Sequence, residues 1–245
     1  MSLLTEAPRQ QKDHLCGPFH AARILRDFGI TDSDGEPLDQ DLVALRAGTT
    51  LPRDFAEGGV PPGAASWADC RYGLATVDKD DAGTSARGLA SAIEELSAGG
   101  LVCVPISGGW TGANVEGLMA LDARLIANLR TGRLWGACPP QETLLAVLDG
   151  AAVPHSPPPD WDVGHFVELA ALLRGHRGSL VLIRDSYPTL GWGGVHLQPA
   201  AVVAEALIRG DGRQGGVLSV VEPHGAAAVR TRASELGLKT EMWEN

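Results

Sequence analysis

The stretch Gln10-Gln11-Lys12-Asp13-His14-Leu15-Cys16-Gly17-Pro18-Phe19-His20-Ala21-Ala22-Arg23-Ile24-Leu25 decides how the fold of this chain is read. From Gly17 to Phe28 the apolar residues Ala21, Ile24, Leu25 and Phe28 recur at helical spacing, and Gly29 supplies a stop. Pro18 suits the first turn, where a backbone N–H has no intrahelical partner to lose. Cys16 therefore stands at a helix start. There, oriented N–H groups and the positive end of the helix dipole favour thiolate over thiol. Gly17 leaves room for a substrate to approach the sulfur. The plainer reading of Cys16 is a small buried hydrophobe, the commoner fate of a cysteine.

Working outward, two later segments complete a set of reacting groups. His165 to Leu173 and Ser179 to Asp185 read as two strands joined by a turn at Gly175 to Gly178. Antiparallel pairing can bring His165, at the start of one strand, beside Asp185, at the end of the next. An imidazole there could face Cys16, form a thiolate–imidazolium pair and later protonate a leaving amine. The Asp185 carboxylate would accept from the second ring nitrogen and fix the tautomer. Alone, His165 would pass for a satisfied strand histidine and Asp185 for a turn residue before Ser186 and Pro188. Their joint order and spacing favour the triad. Gln10, or Gln11 one residue closer, would offer a side-chain amide to the oxyanion beside the Cys16 N–H. Gly164 flanks the histidine. Trp161 and Trp192 could wall a cleft, with ordinary core packing the competing role.

Gln10 to Leu25 resembles the nucleophile segment of papain-like peptidases, especially the bacterial enzymes that process bacteriocin leaders. In those, Gln, five residues and Cys-Gly begin the domain. Gly164-His165-Phe166-Val167 resembles their histidine strand. Asp185 with Gly191 resembles their Asp-Pro segment, with Ser186 standing where proline is usual. Asp185 to Leu197, with Tyr187-Pro188 and His196-Leu197, is similar to the post-aspartate stretch of phytochelatin synthases, which transfer a dipeptidyl unit through a thioester. The resemblance spans about a quarter of the chain. It implies a papain-like fold, Cys16, His165 and Asp185 as the triad, and thioester chemistry.

The composition sets the limits. A chain of 245 residues with 44% hydrophobic content can bury a sizeable core. A formal charge of −10 argues against nucleic acid and anionic membrane as partners. The basic residues are almost all arginine. Residues 1–8 carry no basic segment followed by an apolar core, so no secretory signal is read there. No apolar run approaches the roughly 18 residues of a membrane helix. The four cysteines, Cys16, Cys70, Cys103 and Cys138, lack paired close spacing. They read as reduced thiols in a cytoplasm, the last three structural.

Further elements follow from pattern. Helices are expected at Gln40 to Arg46, from a Thr84 cap through Leu96, at Asn114 to Leu129, at Gln141 to Leu148 and at Pro199 to Ile208. Strands are expected at Leu101 to Ile106 and Gly216 to Val221, with Pro154 to Pro159 a connector. Gly108-Gly109-Trp110-Thr111-Gly112 lacks the Gly-Lys-Ser/Thr ending of a phosphate loop and reads as a tight turn. His14, Cys16 and His20 cluster, but further metal ligands are not evident nearby.

The expectation is an α+β, papain-like fold, its N-terminal helical half carrying Cys16 and packed on a C-terminal antiparallel sheet. It forms a single domain over 1–225, with insertions at about 31–83 and 107–160 and a peripheral tail at 226–245. The expected activity is cleavage of a peptide or small amide by a cytoplasmic cysteine peptidase or amidohydrolase, without cofactor or metal. An acyl or peptidyl transferase and a non-catalytic binding module of the same fold are the alternatives.

Overall fold

The computed structural model describes residues 10–53, 69–135, 139–151 and 161–244; Cys138 and the proline-rich connector at 154–159 lie outside them. Helix α1 (Cys16–Asp27) starts at the cysteine itself and buries Ala21, Ala22, Ile24 and Leu25. Gly29 at φ 74° ends it, and Ile30 N–H reaches back to the Leu25 carbonyl, the αL closure that glycine allows. Helix α2 (Gln40–Arg46) has the expected bounds, with the Asp39 side chain capping Leu42 N–H. Strands β1 (Thr50–Pro52) and β2 (Ala75–Val77) form a small parallel pair. Helix α3 (Ala86–Leu96) is capped by Ser85 rather than by Thr84, whose hydroxyl bonds Thr49 at 2.8 Å instead.

Strand β3 (Val102–Ile106) comes next, and then the sequence reading departs from the structure. The long helix expected over Asn114–Leu129 is instead helix α4 (Gly112–Leu118) followed by strand β4 (Arg124–Arg130). The cause is burial on both sides. Ile126, Ala127, Asn128 and Leu129 are all buried, and a strand covered on both faces gives an apolar run without period-two alternation.

Helix α5 (Gln141–Leu148) precedes β5 (Gly164–Arg174) and β6 (Ser179–Arg184), the expected hairpin. Strand β7 (Val195–Pro199), helix α6 (Ala200–Ile208), strand β8 (Gly216–Val221) and helix α7 (Ala226–Glu235) complete the order.

The fold is α+β. Six strands pair antiparallel throughout in the order β3-β8-β4-β5-β6-β7. Helices cover both faces, not one. On one face Phe166, Ile126, Leu218 and Val220 pack with α1, α2 and α3. On the other, Val167, Leu129, Ala127 and Val217 pack with α4, α6 and α7. Two expectations about the chain's margins are corrected here. The 107–160 segment supplies β4, which lies between β8 and β5 in the sheet. Residues after 226 contribute Val229, Ala233, Leu238 and Trp243 to the buried core and pair Lys239 with Ser107.

Candidate active site

The segment before α1 is held from α2. Gln40 accepts from Lys12 N–H at 3.0 Å and donates to the Gln10 carbonyl at 2.9 Å, while Lys12 Nζ pairs with Asp41 at 2.6 Å. Leu15 N–H closes a tight turn onto the Lys12 carbonyl, with His14 at φ 65° inside it. That turn delivers Cys16 to the first helical position, where its N–H is one of the four without an intrahelical partner.

Gly17 packs closely against its neighbours. A Cβ at that position would stand 3.1 Å from Phe166 Cδ2 and 3.2 Å from Leu89 Cδ2. The glycine lets α1 lie close against β5, the strand of His165. Gly164 is likewise filled from within the protein, since a Cβ would meet the Arg209 guanidinium at 2.6 Å.

Cys16, His165 and Asp185 meet. The Cys16 thiol lies close enough to the His165 ring for each to shift the other's titration, and Phe166 N–H points at Cys16 Sγ from 3.5 Å. His165 Nε2 lies 3.0 Å from Asp185 Oδ1, which leaves Nδ1 for the thiol. Burial pushes the Cys16 thiol up. The His165 charge, the bond to its ring and the N–H groups of Phe166 and Gly17 outweigh that, and the net shift is downward. His165 moves the other way. Burial opposes its charged form, yet Asp185 and Cys16 carry it up to about 10. Asp185 is fully buried, but the two histidines hold it well below the usual carboxylate range. Each shift favours the charged form of its group, the condition for a standing thiolate–imidazolium pair. Cys103, buried beside Glu94, moves above any physiological pH, and burial also raises Cys70.

Residues that the sequence reading left out support Asp185. Its Oδ1 also accepts from Tyr187 N–H at 3.1 Å, and its Oδ2 lies 3.4 Å from His196 Nε2. The Gln198 amide donates to His196 Nδ1 at 3.0 Å and is itself clamped to Trp135, accepting from its N–H and donating to its carbonyl. Because Gln198 donates to Nδ1, the His196 proton sits on Nε2 and is given to Asp185. The alternation Val195-His196-Leu197-Gln198 was the available signal for this strand. Here the polar members face inward.

The two glutamines are placed differently. Gln10 is exposed, whereas Gln11 is 1% exposed and its Nε2 donates to Tyr187 Oη at 3.1 Å. Burial, with the charge of Cys16 adding to it, holds the Tyr187 phenol in its neutral form. Trp161 joins them, edge-on to both His165 and Tyr187 with ring centres 5.0 Å apart. Trp192 does not join: it is 53% exposed in the turn between β6 and β7, and the described residues give it no ring contact with this cluster. His20, one turn after Cys16, is fully buried with its ring against Phe19, and burial and Arg23 keep it neutral. Among the described residues no group of three His, Cys, Asp or Glu is placed to hold a metal ion.

A second charged cluster ties the same elements together. Glu168, three residues after His165, is buried and accepts from Arg124 Nε at 2.8 Å. The Arg23 guanidinium of α1 lies against the same carboxylate, and Arg184, next to Asp185, approaches it at 3.8 Å.

No helix among the described residues is long and apolar enough to cross a membrane. Compared with known proteins, residues 3–244 match the model of a family described as a family of unknown function (DUF6885). No curated protein and no solved structure matches the chain.

Proposed function

We propose that this chain, a member of the DUF6885 family, is a papain-like cysteine hydrolase that cleaves a peptide or small amide through a thioester. One observation carries the reading: the unbroken set of contacts from Cys16 through His165 to Asp185, with both shifts favouring the ion pair.

The Cys16 thiolate attacks the carbonyl carbon, a C–S bond forms, and the carbonyl π pair moves to oxygen. That oxyanion is met by the Cys16 N–H and by the second N–H of the Gln11 amide, the first being given to Tyr187. The His165 imidazolium gives its Nδ1 proton to the leaving nitrogen as the C–N bond breaks. Neutral His165 then takes a proton from water, whose oxygen attacks the thioester, and the thiolate leaves. Asp185 stays ionised throughout and keeps the ring oriented. Three cysteines of the described chain are free, in keeping with a reducing compartment such as the cytoplasm.

The test is acyl capture. With p-nitrophenyl acetate, the protein should release a burst of nitrophenol and carry an acetyl group on Cys16, read by peptide mass mapping. Cys16→Ala should give neither, and His165→Ala should lose the burst while remaining folded. Adding a primary amine separates hydrolysis from transfer, since a transferase would hand it the acetyl group in preference to water. Acetylation spread evenly over the cysteines would reject the catalytic reading and leave a binding module.

A further inference from the structure

Asp185 is approached from two sides, and only one of them faces the Cys16–His165 pair. Its Oδ1 takes His165 Nε2 at 3.0 Å and Tyr187 N–H at 3.1 Å. Its Oδ2 faces His196 Nε2 at 3.4 Å. The sheet brings these residues together. His196 on β7 stands opposite Ile183 on β6, and Asp185 N–H extends the same pairing to the Gly194 carbonyl at 2.6 Å. Asp185, two residues after Ile183, therefore shares a face with His196.

The main chain settles which way the His196 contact runs. Trp135 N–H only donates and the Trp135 carbonyl only accepts, so the Gln198 amide has one permitted orientation. Its Oε1 takes the N–H at 2.8 Å and its Nε2 gives to the carbonyl at 3.2 Å. The same Nε2 meets His196 Nδ1 at 3.0 Å. A ring that accepts at Nδ1 carries its proton on Nε2, where Asp185 receives it.

Trp135, Gln198, His196 and Asp185 are all buried. Each link costs desolvation, and apolar side chains of the same shape at 196 and 198 would be about as stable. What the chain adds is direction. The two donors on Oδ1 leave the carboxylate free to swing about that oxygen; a donor on Oδ2 removes the swing.

We infer that His196 is a positioning residue for the nucleophile, held in one tautomer by the Trp135 peptide through Gln198, so that it pins Asp185 Oδ2 and keeps Oδ1 aimed at His165. The inference rests on the reading of Cys16 as nucleophile and adds to that site a residue beyond the triad.

The test follows the rate at which iodoacetamide alkylates Cys16 at pH 6, read by peptide mass mapping. His196→Leu should slow it by about tenfold, the size of one charge-assisted hydrogen bond. His196→Gln, whose amide donates to Oδ2 from a similar reach, should stay within about threefold of wild type. Both variants lose the acceptor for Gln198, so both should unfold at similarly lowered denaturant concentrations while differing in reactivity. In Asp185→Ala, adding His196→Leu should change the rate by less than about twofold, because a residue that acts through the carboxylate then has nothing to act on. An equal loss with and without Asp185, or a His196→Gln as slow as His196→Leu, overturns the positioning role and leaves Cys16 as nucleophile. A wild-type Cys16 no faster than Cys70 overturns the nucleophile reading and the inference with it. Ring-nitrogen NMR of the wild-type protein needs no variant: His196 should carry its proton on Nε2 and show a bare Nδ1. Any other pattern overturns the inference even if His196→Leu does not fold.

Discussion

Asp185→Asn keeps the shape of the side chain and removes its charge, so it isolates what the carboxylate contributes. A unit charge pair at the 3.0 Å between His165 Nε2 and Asp185 Oδ1 is worth on the order of 5 kcal/mol at an effective dielectric of about 20, roughly four pH units. Burial opposes that, and His165 ends at about 10 against an ordinary 6.5. In the variant the His165 titration should fall by about two units or more, because an amide dipole replaces part of the lost attraction. A second cost is steric and polar. The asparagine must turn its NH₂ toward either His165 and Tyr187 N–H or His196, all donors. His196 cannot change tautomer freely, because Gln198 is fixed at both ends by Trp135. One buried donor is left unpaired, at about 1–3 kcal/mol.

The pH dependence has a definite sign. A histidine raised in the folded state stabilises the fold fully below its unfolded value of 6.5, and that contribution is lost as pH rises through about 10. The stability gap between wild type and variant should therefore be widest in mild acid and narrow toward pH 10. Ring-nitrogen NMR of labelled histidine reads the titration directly, and denaturant unfolding across the pH range reads the gap. The iodoacetamide reaction of Cys16 should also begin at higher pH in the variant. A His165 titration that stays in place in Asp185→Asn would refute the reasoning, because the imidazolium would then owe its stability to something else.

Two other expectations follow from the geometry. Gln11→Ala should lower nitrophenyl ester turnover by about 10²–10³, the loss of one oxyanion donor, while Gln10→Ala should stay close to wild type; the reverse order would return the role to Gln10. Glu168→Gln leaves Arg23, Arg124 and Arg184 around a neutral amide, and should cost about 3–5 kcal/mol in thermal or denaturant unfolding. A stability change below about 1 kcal/mol would mean that solvent screens this cluster as it does a surface pair.

Local signals carried most of the fold. Helices α1 and α2 and the β5–β6 hairpin were legible because their apolar periodicity and their stop residues agree over a few residues. Strand β4 was not, because helices bury both of its faces, and the run Leu125 to Leu129 then shows no alternation of polar and apolar residues to mark it. In the site, Cys16, His165 and Asp185 were legible from order and spacing. Gln11 was not separable from Gln10, since only the three-dimensional turn at Lys12 to Leu15 decides which amide is buried. Tyr187 and His196 act through contacts with Asp185 that no spacing rule encodes. Trp192 lies within a few residues of Asp185 in sequence but is carried to the surface by the β6–β7 turn.

The close seating of Gly17 against Phe166 and Leu89 has a consequence for how the chemistry could drift. Cys16 on α1 and His165 on β5 are held toward each other across an apolar layer between helix and strand. A close-packed interior transmits changes of volume as displacement. A larger or smaller side chain at Leu89 would therefore shift Cys16 relative to His165. On the function proposed above, substitutions that look like ordinary core variation would then also tune the reactivity of the thiol, a property inherited through packing.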